Sequence, residues 1–361
     1  MKHRPHIIVA PDSFKGTASA EEAAEYLAEG IAEAFDCEIT LAPMADGGEG
    51  TAAKFQGQDI TLPTTNANGA LIEATYRFDS ASATAYIDAA AASGITLVED
   101  HRPLIADTYG TGVLIADAQS RGATRIVLGL GGTATTDGGT GILVALGAQL
   151  LDAQQQTLPQ GGGSLAQLET IDTAMLNIPA AGVEWVLLSD VDNPATGPRG
   201  AAAIFAPQKG ADAGDVEKLD RGLAHLCQVT GVDPSTPGMG AAGGIGIGIT
   251  WLSSLIYGEP KVCFLPGAKV VAQSAGVGAD ADLIVTGEGK FDDQSLHGKV
   301  VGSILELADA TPVAIVAGAH EAEAGAVQVT LGAGEVRDQL RNAGREVAGW
   351  YQRHAMERNQ G

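Results

Sequence analysis

Five stretches of this 361-residue chain place acids and bare glycines, three of them with cations, directly after β-branched runs. The longest, DLIVTGEGKFDDQSLHGK (282–299), opens with Leu283, Ile284 and Val285, which read as a buried strand. It then breaks into Gly287, Glu288, Gly289 and Lys290, with Asp292 and Asp293 behind. In a parallel α/β sheet, ligands sit at the carboxyl ends of strands. This stretch therefore asks for a ligand that needs carboxylates, cations and close backbone approach at one strand end. His297 and Lys299 add further anion contacts.

The other four repeat the pattern. After Ile7 to Val9 come Pro11, Asp12, Ser13, Phe14, Lys15 and Gly16, where Lys15 suits a phosphate and Asp12 a hydroxyl or a metal. PMADGGEGT (43–51) sets Asp46 and Glu49 around Gly47 and Gly48, whose missing side chains admit a ligand to the main chain. GLGGTATTDGGTG (129–141) offers Gly131, Gly132, Thr133 and Asp137. Its amides and hydroxyls are neutral donors for phosphate oxygens, with a helix N-terminus expected to follow. It is neither a Walker A loop nor a GxGxxG turn. In SDVDNPATGPRGAAAIFAPQKGA (189–211), Asp190 and Asp192 are spaced i, i+2 after a strand. Arg199 and Lys209 add positive charge. In a loop, the two aspartates suit Mg²⁺, which takes one or two carboxylates plus substrate phosphates. Together the five clusters fit phosphoryl transfer, in which metal and backbone hold a nucleotide while a carboxylate positions the attacking hydroxyl.

The elements that must position these tips alternate. Strand, turn and helix recur in HIIVAPDSFKGTASAEEAAEYLAEGI, where Ser19 and Glu22 form a capping box. The same grammar holds at RIVLGLGG, EWVLLSD, ADLIVTGEG and PVAIVAGAH. Such alternation predicts a parallel or mixed sheet covered on both faces. EATYRF and ATAYIDAA instead predict a hairpin around residues 79–82. The length suggests two domains. With 45% hydrophobic residues but only 4% aromatic, Ala, Val, Ile and Leu must fill the cores. A net charge of −23 argues against nucleic acid and anionic membranes as partners. Three cysteines lack metal-ligand spacing, the apolar start at Ile7 is too short for a signal peptide, and no run has the length of a membrane helix. The expectation is a cytoplasmic protein. A His-based hydrolase finds no support, because the seven histidines are scattered and no G-x-S-x-G is present.

On APDSFKGTASA, PMADGGEGT, GLGGTATTDGGTG, DVDNPATGPRGAAAIFAPQKGA and DLIVTGEGKFDDQSLHGK, in that order, the chain resembles the bacterial glycerate kinases of the type that includes the glycerate 2-kinases. AAAASGITLV and TYGTGVLI extend the resemblance over nearly the whole chain. The resemblance implies ATP-dependent phosphorylation of D-glycerate to 2-phosphoglycerate, with 3-phosphoglycerate as the competing product. It implies two α/β domains with an interdomain cleft. The first, residues 1–70 with 268–361, is Rossmann-like and discontinuous; the second spans 71–267. The C-terminal region after AIVAGAHEAEAGAVQVTL is shorter than the family pattern.

On that footing Asp190 or Asp192 deprotonates the glycerate hydroxyl or, with Glu288 and Asp292, holds Mg²⁺. Lys15 and Lys209 take the substrate carboxylate or the transferred phosphoryl group. Gly131, Gly132, Thr133 and Asp137 hold part of the nucleotide or substrate. Asp12, Ser13, Asp46, Gly47, Gly48, Glu49, Arg199, Gly287, Glu288, Gly289 and Lys290 complete the binding set. The expected assembly is a monomer or homodimer. The rival class, a nicotinamide-dependent α/β oxidoreductase, lacks a GxGxxG turn with a downstream acid.

Overall fold

The structure, a computed structural model, describes residues 4–278, 280–296 and 299–358. In chain order its strands are β1 (His6–Val9), β2 (Glu38–Leu41), β3 (Gln58–Thr65), β4 (Leu71–Asp79), β5 (Thr84–Asp88), β6 (Arg125–Gly129), β7 (Gln149–Leu151), β8 (Thr170–Asp172), β9 (Glu184–Leu188), β10 (Val262–Leu265), β11 (Leu283–Phe291), β12 (Val313–His320) and β13 (Val327–Thr330). The chain divides into two compact units, Met1–Asp46 with Pro266–Gly361 and Gly47–Leu265. The sequence expectation put these divisions after residues 70 and 267. Residues 58–65 go with the second unit because β3 pairs along its whole length with β4.

The first unit holds a five-stranded sheet in the order β13-β12-β11-β1-β2, parallel at every pairing. Numbered within the unit, that order is 2-1-3-4-5. It is the shorter doubly wound arrangement, whose ligand crevice lies where the order reverses, between the first and third strands, here β1 and β11. Ile7 to Val9, Leu283 to Val285 and Val313 to Ala317 are buried throughout, as central parallel strands between helical layers require.

The helix Ala20–Ala34 starts on the expected capping box. Glu22 N donates to Ser19 Oγ at 3.2 Å, and Ser19 N donates to the Glu22 carboxylate at 2.9 Å. Its Ala23, Ala24, Leu27 and Ile31 pack with Leu340, Ala343 and Val347 of the helix Val336–Arg358 against Ile7, Val9 and Val285 of the sheet. The helices cross at Gly30 and Gly344. A Cβ on Gly30 would collide with the Arg341 carbonyl, and one on Gly344 with that of Leu27.

The second unit holds a six-stranded sheet ordered β10-β9-β6-β5-β4-β3 and a separate β7–β8 ladder. The sheet is parallel from β10 to β5 and antiparallel from β5 to β3. The predicted hairpin is the β4–β5 pair. Asp79 closes its turn by accepting from Ala81 N and Ser82 Oγ. Ile87, Ile126, Leu128, Trp185 and Leu187 form the core with Leu114, Ile115, Ile142 and Ile249 from the covering helices. At the carboxyl ends, Asp88 of β5, Gly129 of β6 and Leu188 of β9 stand in register. The loops behind those residues therefore leave the sheet together. Among the described residues, no helix is long and apolar enough to cross a membrane.

Candidate active site

At this edge of the second sheet the contacts are main chain on main chain. Gly131 N donates to Gly47 O at 3.1 Å, Leu130 N to Leu188 O at 3.1 Å and Ile95 N to Gly132 O at 2.8 Å. A Cβ on Gly131 would stand 2.7 Å from Gly48 Cα, so only glycine lets the two segments meet. Gly132 has φ +74°, in the left-handed region. Gly47, Gly48, Gly131 and Gly132 are thus brought together beside the loop that begins at Ser189.

Gly131, Gly132, Thr133, Asp190 and Lys209 line a cavity of about 370 Å³, with Phe205 and Gln208, which sequence reasoning missed, among its other walls. Lys209 sits in a single 3₁₀ turn, Pro207–Lys209, and is only 3% exposed. Its Nζ donates to the Thr135 carbonyl at 2.5 Å and lies 3.5 Å from Thr133 Oγ1. Among the described residues it has no carboxylate ion partner. Burial pulls its pKa down to about 8, against the opposing charge of Asp137. A buried cation with neutral neighbours is costly to leave bare. Beside glycine-rich main chain it makes a seat for an anionic group.

Two assigned acids have other employment. Asp137 is fully buried. It accepts from Thr108 N at 3.0 Å, Thr108 Oγ1 at 2.8 Å, Gly139 N at 3.1 Å and Gly141 N at 2.9 Å. It therefore holds the 137–141 turn, where the sequence reading gave it a ligand. Asp192 is exposed, pairs with Arg199 at 3.2 Å, and neither residue lines the cavity. Extended backbone would set residues i and i+2 on one face; the chain bends at Asp190 instead, and of the two aspartates only Asp190 lines the cavity. Glu49 is exposed.

One carboxylate here escaped the sequence reading. Asp88, buried at the end of β5, accepts from Gly50 N and Ala52 N, each at 2.9 Å. Burial, and secondarily the Glu49 charge, pushes its pKa up to about 6 despite those amides. It anchors residues 50–52 and with them the seat of Gly47 and Gly48. The available signal was an acid closing ATAYID before a run of alanines: the strand-then-acid grammar without glycines.

In the first unit, the switch point carries the acids. Asp12 N donates to Gly287 O at 2.8 Å, which fixes Asp12 and Glu288 on neighbouring strand ends. Ser13 N donates to Asp12 Oδ1 at 2.7 Å. Burial nevertheless pushes the Asp12 pKa up to about 6. The Ser13 amide works against that rise, Asp46 reinforces it and Lys15 relieves part of it. The Glu288 pKa is also raised, first by burial, with Asp12 and Asp292 adding to the effect against Ser295 and Lys299. Glu288 Oε1 is buried with no hydrogen-bond partner among the described residues.

Lys290 is exposed and bound to Glu321 at 2.8 Å and Asp292 at 3.6 Å. Asp292 closes a turn by accepting from Gln294 N at 3.0 Å and Ser295 N at 3.3 Å. Gly287 is required because a Cβ there would strike the Val316 carbonyl on β12. Gly289 lies open near the Lys15 amide. His297 lies outside the described residues. Among the described residues, no three His, Cys, Asp or Glu side chains gather into a ready metal cage. The two mutually repelling carboxylates Asp12 and Glu288, one with an orphan buried oxygen, do fit a hard cation that keeps most of its ligands from water and substrate.

The model of the glycerate kinase family matches residues 7–341. The chain belongs to the glycerate kinase family. It is 39% identical over 338 residues to the glycerate kinase of Bacillus subtilis (strain 168), covering 89% of this chain and 87% of that protein. It is 38% identical over 338 residues, with the same coverage, to the glycerate 2-kinase of Escherichia coli (strain K12). A crystal structure of a protein from Salmonella typhimurium LT2, provisionally designated glycerate kinase 2, superposes with a TM-score of 0.86 at 32% identity, over 98% of this chain and 100% of that one. The family match reaches into both segments of the first unit and covers all of the second.

Proposed function

We propose that this chain transfers the γ-phosphoryl group of ATP to D-glycerate and releases 2-phosphoglycerate. One observation carries the reading: Lys209, buried and without an ion partner among the described residues, lines a cavity walled by Gly131, Gly132 and Thr133. A fixed cation in a water-poor site stabilises developing phosphoryl charge far better than one in solvent. In this reading Lys209 holds the transferred group or the glycerate carboxylate, and Asp190 positions the attacking hydroxyl. Asp88 and Asp137 hold the glycine turns in place.

Asp12 and Glu288 would hold Mg²⁺. When bound, the ion neutralises phosphate oxygens and orients the triphosphate. Lys15, exposed beside Asp12, would contact the nucleotide. The Escherichia coli relative is named a glycerate 2-kinase, which favours attack from the 2-hydroxyl. ATP dependence fits a cytoplasmic reaction.

The test is ³¹P and ¹H NMR of the product after incubation with Mg-ATP and D-glycerate. The expected result is stoichiometric ADP and 2-phosphoglycerate. A 3-phosphoglycerate spectrum overturns the regiochemistry, and absence of glycerate-dependent ADP release overturns the reaction.

A further inference from the structure

The second unit contains another cavity, of about 290 Å³, that the kinase reading leaves unused. Its walls include Ala148, Leu150 and Leu158, all buried, while Val144 at its margin is 39% exposed. One charged side chain lines it: Asp107, 6% exposed. Tyr109 N donates to Asp107 Oδ1 at 3.1 Å, and Oδ2 takes no hydrogen bond from a described residue. Burial, then the nearby charge of Asp137, pushes the Asp107 pKa up to about 7. Asp137 is already satisfied by its four donors, so it offers Asp107 repulsion and no relief. Beyond Asp107 the side-chain oxygens on offer are the neutral ones of Thr140, Gln149, Thr157 and Gln160, a single carboxylate being a poor set for a metal ion, and the two aspartates repel an anion. A carboxylate that only accepts, set among aliphatic walls, matches a donor head on an apolar body.

We propose that this cavity binds a small organic cation, whose primary ammonium group donates to Asp107 while an aliphatic chain covers Ala148, Leu150 and Leu158. Thr140 and Gly141 also line the cavity. Gly141 N is one of the donors that hold Asp137. Occupancy therefore bears on the turn whose other end supplies Gly131 and Gly132, which makes this an effector position.

The test titrates the full chain with n-pentylammonium chloride, using 1-pentanol and pentanoate as comparators, followed by calorimetry and amide NMR. The expected result is saturable ammonium binding, alcohol binding on the order of tenfold weaker, and no pentanoate binding. The Thr140 and Gly141 amides should shift. Ammonium affinity should fall as pH drops from about 8 to 6, because Asp107 then takes up a proton; Asp137 is the charge acting on it. Asp107→Asn should abolish the preference for ammonium over alcohol. If that variant fails to fold, Val144→Phe, which crowds the mouth from an exposed position, should weaken all binding. Equal affinity for ammonium and alcohol, shifts confined to other residues, or ammonium affinity indifferent to both substitutions and to pH would each overturn the proposal.

Discussion

The two units end their parallel strands in similar glycine–acid turns, yet the local fields there are opposite. In the first unit Lys15 is exposed and Lys290 is already matched by Glu321 and Asp292, so Asp12 and Glu288 are left as half-buried, mutually repelling carboxylates. In the second unit Asp88 is taken up by the Gly50 and Ala52 amides and Asp137 by the turn it closes. Lys209, lining the cavity, keeps no carboxylate ion partner among the described residues. The sign of a site is thus set by which charges the fold consumes, not by how many of each sign lie nearby. On the proposed function, one unit serves a cation and the other an anion.

The largest effect that could break this contrast is expected at Lys209. Lys209→Met should lower kcat/KM for D-glycerate by on the order of 10²–10³ in a coupled ADP-release assay; a loss smaller than tenfold would remove the second unit's anion seat. Glu288→Gln and Asp12→Asn come next. Each should raise the Mg²⁺ concentration giving half-maximal rate by on the order of tenfold or more, whereas Lys209→Met leaves that concentration in place. An unchanged Mg²⁺ titration in both carboxylate variants would mean that the first unit's acids serve something else. Asp190→Asn against Asp192→Asn sharpens the second unit alone. The cavity-lining residue should cost on the order of 10²-fold in kcat, and the exposed partner of Arg199 about twofold or less. Equal losses would contradict the geometry.

The smallest effect is in stability. The folded-state pKa of Asp107 lies above its unfolded value, so the folded chain holds that proton more tightly. The contribution is complete below about pH 4 and fades as pH rises through about 7. Asp107→Asn should therefore raise Tm at pH 8 by on the order of a few degrees and change little at pH 4. A gain that is the same at both pH values would mean that burial does not oppose the Asp107 charge.

Much of this was legible in the chain. Continuous apolar runs marked β1, β11 and β12, the Ser19–Glu22 box marked its helix, and alternation marked the β4–β5 hairpin, because each signal is local. The glycine pairs were found for the same reason, although the cause at Gly131 is the approach of Gly48, far away in sequence. What stayed hidden was the fate of each carboxylate. Asp88 and Asp137 look like any loop acid until the fold brings up Gly50 or Thr108, and the spacing of Asp190 and Asp192 does not say which one turns inward. Asp107 sits in ADTYGTG with no glycine before it, so nothing set it apart. The boundary near residue 46 was equally invisible, because β3 declares its allegiance only through its pairing with β4.

β1 occupies an interior place between β2 and β11, and the helices crossing at Gly30 and Gly344 join two segments of the first unit that lie far apart in sequence. During synthesis, β1 leaves the ribosome long before the strand β11 and the helix Val336–Arg358 that must flank it exist. The whole of Gly47–Leu265 is made in between. β1 must wait, its apolar residues uncovered, until that helix has been made. Loss of the helix therefore injures a strand translated long before it.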